Sequence, residues 1–205
     1  SGFMVQQTSC LARYTHARHH SHTMLVGEDP EILVTNPMTW RDFLVKELID
    51  LGSIWYFVKA IAALAIGRPT QDAADCIPAA AMRRAVIEAQ AYMLGYLAII
   101  LWSLAAQSWL PALMLILPRV LGAPIHGVML ATQHCGMAQD IQDHRHTTRT
   151  MIVNPVLRML YWNMNYHIEH HVFSQIPFHA LPALHEAVRD QCPPPTQGIG
   201  RALAE

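Results

Sequence analysis

Between Glu88 and Arg119 the chain runs for 30 residues without one Asp, Glu, Lys or Arg, and the low-charge run resumes after Arg119 to end only at Asp140. A helix needs roughly 20 apolar residues to cross a bilayer, so the first run is too long for one crossing and too short for two. The combined stretch holds two, over about 88–107 and 109–130, joined by the short uncharged AAQSW. Arg83 and Arg84 precede the first span, and Arg145, Arg149 and Arg158 follow the second. Positive residues favour the cytosolic side, so both outer ends are expected there and the turn on the far side. Arg119 falls inside the second span beside Pro118, with Pro111 and Pro124 nearby, as in a kinked helix whose guanidinium snorkels or finds a partner.

Composition agrees with a membrane chain. Hydrophobic residues make up 52% and charged residues 14%, where an ordinary soluble domain has about 25% charged. A net charge of -1 lacks the basic surplus that phosphate binding demands, so no nucleic-acid partner is expected. A third apolar stretch, Leu51–Gly67, has 17 residues with Lys59 at its centre. That is marginal in length for a span and costly in charge. Residues 40 to 67 are therefore expected as helix along the cytosolic interface, anchored by Trp40, Trp55 and Tyr56. The predicted fold is all-α: an integral membrane helical hairpin, interfacial helices and a cytosolic cap, in one domain ending in a short helix entered at Pro182 and a loose tail over 191–205.

The chain has 13 His, and six of them form two copies of one pattern, H-x-x-H-H: His16, His19 and His20, then His167, His170 and His171. On a helix, positions i, i+3 and i+4 share a face, so each copy is expected to act as a three-nitrogen claw. Imidazole suits Zn, Cu, Fe and Ni, which leaves the metal open. Two claws offer more nitrogens than one tetrahedral zinc uses and suit two metals of higher coordination number. Sharing a site places both claws on one side of the membrane, which is why Leu51–Gly67 is not expected to cross. No Glu has a His three residues later, which excludes the soluble di-iron bundle pattern. HEAVR, at His185, puts Arg189 where the zinc-protease motif needs its second His. Cys10, Cys76, Cys135 and Cys192 make no C-x-x-C pair and read as buried or idle thiols.

RYTHARHH, WNMNYHIEHHVFSQIPFHALPALHE and the intervening QHCGM and DHRHTTRT together resemble the membrane fatty acid desaturase and hydroxylase superfamily, from about residue 11 to 189. The first stretch is similar to that family's second histidine box, and the second to its third box and trailing segment. The resemblance implies two non-haem iron ions, held mostly by histidine, that activate O2 with outside electrons. It assigns metal-ligand roles to His16, His19, His20, His167, His170 and His171, and a further one to His134 just after the last span. His144 matches the bacterial pattern close to the metals, whereas His146 is expected at the surface. His22, His126, His179 and His185 are expected beside the site, at an interface or at the surface.

The family's first box is absent, so the sequence, which starts at Ser1, is expected to be an N-terminally truncated fragment that is inactive alone. The resemblance implies desaturation of an acyl chain carried on a lipid, on CoA or on acyl-carrier protein. Hydroxylation of a hydrocarbon or small molecule by the same centre is the alternative, and a His-rich membrane metal carrier is a rival of another class. No H-P-G-G haem motif occurs, so a separate ferredoxin or cytochrome b5-type donor is implied. The expected place is a bacterial inner membrane, with the metals on the cytosolic face. Single cysteines placed near residues 25 and 150, in a background without native cysteine, are expected to react with an impermeant maleimide from the same side of intact cells. Labelling from opposite sides removes the shared site.

Overall fold

The computed structural model describes residues 2–32, 38–49 and 51–204, the side chains of Glu47 and Leu51 excepted. Asp50 of the expected interfacial stretch and Glu205 of the expected tail lie outside them. The chain is mostly helical, at 69%. It divides into two compact units, one of residues 1–18 and 49–124 and the other of 19–48 and 125–205, where the sequence reads as one domain.

After a 3-10 turn at Gly2–Val5, helix α1 (Ser9–His22) carries the first H-x-x-H-H. Thr39 caps α2 (Trp40–Asp42), which continues as a π-helical run over Phe43–Ile49. Next come α3 (Leu51–Ala65), α4 (Gln71–Cys76), α5 (Ala79–Ala105) and α6 (Leu110–His134). Helix α5 starts earlier than the uncharged run and takes in Arg83, Arg84 and Glu88, while α6 extends past residue 130 to end on His134. Both are long and apolar enough to cross a membrane, and little of the apolar stretch of either is buried. Exposed Leu94, Leu101, Trp102, Trp109 and Leu121 instead present a surface suited to lipid. Helix α3 has 15 residues; at 1.5 Å rise it is about 22 Å long, short of a bilayer core of about 30 Å.

In the first unit α3 packs on α5: Ala60, Ile61 and Leu64 share one buried core with Ala85 and Ala89, and Cys10 and Leu11 of α1 complete it. Gly95 allows a close approach, because a Cβ there would lie 2.8 Å from the Phe3 ring; that ring stacks on Tyr96 with centroids 4.6 Å apart. Arg119 does find partners, donating to the Val5 carbonyl and Ser53 Oγ with its guanidinium 5.1 Å over the Phe57 ring. Pro118 and Pro124 stand inside α6.

The second unit adds α7 (His144–Thr147), β1 (Met151–Ile152), α8 (Pro155–Leu160), α9 (His167–Val172), α10 (Leu181–Val188), β2 (Thr196–Gln197) and α11 (Ile199–Ala204). β1 and β2, two residues each, form a parallel pair with Met151 opposite Thr196 in an otherwise helical chain. On the other side of this strip the Met151 N–H donates to the Asn165 carbonyl, 2.8 Å away, just before α9. Residues 191–204 are correspondingly not a loose tail. Ala202 is fully buried beside Met129 and Met151, and buried Arg149 donates to the carbonyls of Ala202 and Thr132, joining α11 to the last turn of α6.

Glu88 of α5 accepts the first two N–H groups of α1, from Ser9 at 2.7 Å and Cys10 at 2.9 Å, which satisfies a helix start with a negative charge. Glu88→Ala is expected to cost about 1 kcal/mol, in the range of a lost helix cap. Glu88→Gln, which keeps one acceptor oxygen, is expected to cost less. Thermal unfolding in detergent, followed by helical circular dichroism, checks the order.

Candidate metal centre

Four buried imidazoles meet in the second unit: His19 from α1, His134 at the end of α6, and His167 and His171 from α9. One ring nitrogen from each lies within 4.8 Å of all the others. His134 Nε2 and His171 Nε2 each stand 3.1 Å from His167 Nε2. Two nitrogens on one ion, with bonds of about 2.1 Å, are separated by about 3.0 to 3.4 Å.

The far side of three of these rings fixes which nitrogen faces inward. His19 Nδ1 lies 2.9 and 3.0 Å from the two oxygens of Asp29, and so carries the proton. His134 Nδ1 donates to the Thr147 carbonyl at 2.9 Å. His171 Nδ1 lies 3.0 Å from Thr23 Oγ1, whose own proton goes to the His19 carbonyl, so the ring is the donor. Each Nε2 is left as a bare lone pair aimed at the cluster. His167 Nε2 faces two of them and has at most one proton to give. The group fits a cation better than it fits a hydrogen-bonded core.

Charge follows the same pattern. Burial, and after it the neighbouring imidazoles, holds His171 well below the ordinary imidazole value, so the ring stays neutral, as a ligand must be. Burial raises the Asp29 carboxyl, but the hydrogen bond from His19, with the N–H groups of Glu31 and Met24, outweighs it and leaves the group below its usual value.

The claws expected from sequence do not close as separate units. His167 and His171 point together, with ring centroids 4.5 Å apart, whereas His170 turns to His20, at 4.6 Å. Adjacent residues on a helix diverge by about 100°, so His170 and His171 cannot serve one point. Each box is therefore divided: His19 joins the first group and His20 stands with His170. His16 lies one turn before His20 on α1, in the first unit.

Of the other histidines, half-buried His144 places its ring 5.3 Å from that of His171, and exposed His146 faces Asp143 at 4.0 Å. His22 faces Glu28 at 3.4 Å. His126 and His179 are exposed. His185 is buried, with Nδ1 2.5 Å from Oε1 of Glu169, a carboxylate with no exposed surface in the middle of α9. Asp29, Thr23 and Glu169 are the residues that sequence reasoning missed. The only local signal was a carboxylate inside HIEHH, and Asp29 had none.

The donor set of neutral imidazole nitrogens suits iron as it suits other borderline metals. No curated protein and no solved structure is significantly similar to the chain. A family model, fatty acid desaturase, matches residues 1–200, which takes in both histidine patterns, both apolar helices and His134. With nearly its whole length matched, the chain belongs to the fatty acid desaturase family of oxidoreductases.

Proposed function

We propose that the chain carries the di-iron centre of an O2-dependent enzyme that desaturates fatty acyl chains, set in a bacterial inner membrane with the metals on the cytosolic side. The observation that carries this reading is the buried group His19, His134, His167 and His171, in which His167 Nε2 stands 3.1 Å from both His134 Nε2 and His171 Nε2, the separation of two ligands on one ion. These four hold one iron, and His20 and His170 contribute to the other. Bound there, the pair of ions supplies O2 activation and removal of hydrogen from an unactivated C–H bond, with electrons from a ferredoxin or cytochrome b5-type donor.

The chain's own residues do the rest. Asp29, Thr23 and the Thr147 carbonyl keep the outer ring nitrogens protonated and the inner ones bare. Burial of the four rings keeps water away from the reacting atoms. The apolar exteriors of α5 and α6 suit a bilayer, the medium in which an acyl chain dissolves, whether the substrate is carried on a lipid, on CoA or on acyl-carrier protein. A metal carrier would place its ionisable ligands mid-membrane; here α5 holds none of them and α6 only His134, its last residue.

Full-length protein, expressed from the complete gene and purified from membranes, is expected to hold about two irons per chain, and lipids of the expressing cells to gain an unsaturated acyl product. A hydroxylated product instead assigns the alternative outcome to the same centre, zinc in place of iron supports a carrier, and no metal removes the reading. His170→Ala is expected to cut activity by more than about 100-fold and to lower bound iron, because it removes a nitrogen that binds the metal itself. His179→Ala, on an exposed turn, is expected to keep most of both. Equal losses at equal expression overturn the assignment.

A further inference from the structure

Helix α9 is six residues long and carries three of the candidate ligands. So short a helix has no stable orientation of its own and must be held by its surroundings. Its ring nitrogens stand far from the helix axis, so a small roll moves each by more than a bond length. What holds the roll is polar. Glu169, between His167 and His170, has no exposed surface. One oxygen takes the Nδ1 proton of His185 on α10, at 2.5 Å, and the other accepts from Thr150 Oγ1, beside β1. Thr150 Oγ1 in turn accepts the Ile168 N–H at 3.3 Å, and the Thr150 backbone bridges Tyr166. The His185 ring lies against Tyr166, with centroids 5.1 Å apart.

A fully buried carboxylate is costly to desolvate, and a well-packed apolar pair often serves stability as well or better. What an apolar pair does not supply is direction. We propose that Glu169, gripped by His185 and Thr150, is a positioning residue that sets the roll of α9 and so divides its imidazoles, His167 and His171 toward His19 and His134, His170 toward His20. This rests on the reading that those groups bind metal. Glu169 and His185 touch no metal themselves. They act through the helix, and His185 has a function that its place outside both histidine patterns does not suggest.

The test uses metal binding rather than turnover. The metal-free protein is titrated with cobalt(II), whose visible absorption reports ligand geometry, and the thermal midpoint is measured alongside. Glu169→Gln is expected to weaken cobalt binding about 10 to 100-fold and to alter the band pattern at saturation, as loss of an outer partner does. His185→Phe, which removes the donor, is expected to match it. His185→Asn, whose amide N–H stands where Nδ1–H stood, is expected to recover affinity and spectrum. Should Glu169→Gln fail to fold, the His185 pair carries the same comparison. A lowered midpoint with unchanged affinity and spectrum in the folded protein makes the contact merely structural and overturns the proposal. Wild-type protein that binds no cobalt overturns the metal reading itself, and the proposal with it.

Discussion

Three ring nitrogens that face one another with at most one proton among them are the constraint on which the second unit turns. His134 and His171 each spend their Nδ1 proton outward, on Thr147 and Thr23, and leave bare Nε2 atoms on either side of His167. In a dry interior such an arrangement is repulsive, and a cation in the middle reverses its sign. The outward hydrogen bonds are thus what suit the inward nitrogens to a cation, and the acceptors, Thr23 and Asp29 after α1 and Thr147 in α7, come from two distant parts of the chain. Asp29 adds the nearest negative charge to a donor set that is otherwise neutral.

The scaffold serves this constraint from two directions. Helix α6 changes character along its length: exposed apolar residues through Ile125 give way to a buried last stretch that ends on His134. The C-terminal residues close the other side, since Arg149 ties α11 to the last turn of α6 while the strip at β1 sits between β2 and the segment that leads into α9. Left-handed backbone at Trp162 and Asn163 turns the chain sharply in the loop before that segment.

Much of this was legible in the sequence, and the rest was not for physical reasons. The two long helices announce themselves through missing charge, and the histidine patterns through spacing that only a helix makes meaningful. How each pattern divides between two groups depends on the roll of α9, which no local spacing encodes. Asp29 stands ten residues after His19 across a turn, where a carboxylate has no motif to betray it. CPPPTQGIG reads as loose because prolines and glycines favour loops, yet Thr196 and Gln197 pair with β1, a long-range parallel contact invisible to local propensity.

The hydrogen bond between Thr23 and His171 joins residues 148 apart in the chain. Neither end of the protein can finish its share of the centre before the other has been synthesised. Metal capture is therefore a late event in the life of the chain, after α9 has left the ribosome and found α1, and loading reports that the tertiary fold is complete. On the proposed function, a cell short of the metal would accumulate chains whose helices are in place but whose imidazoles still repel one another, and such chains are natural targets for the quality-control proteases of the membrane.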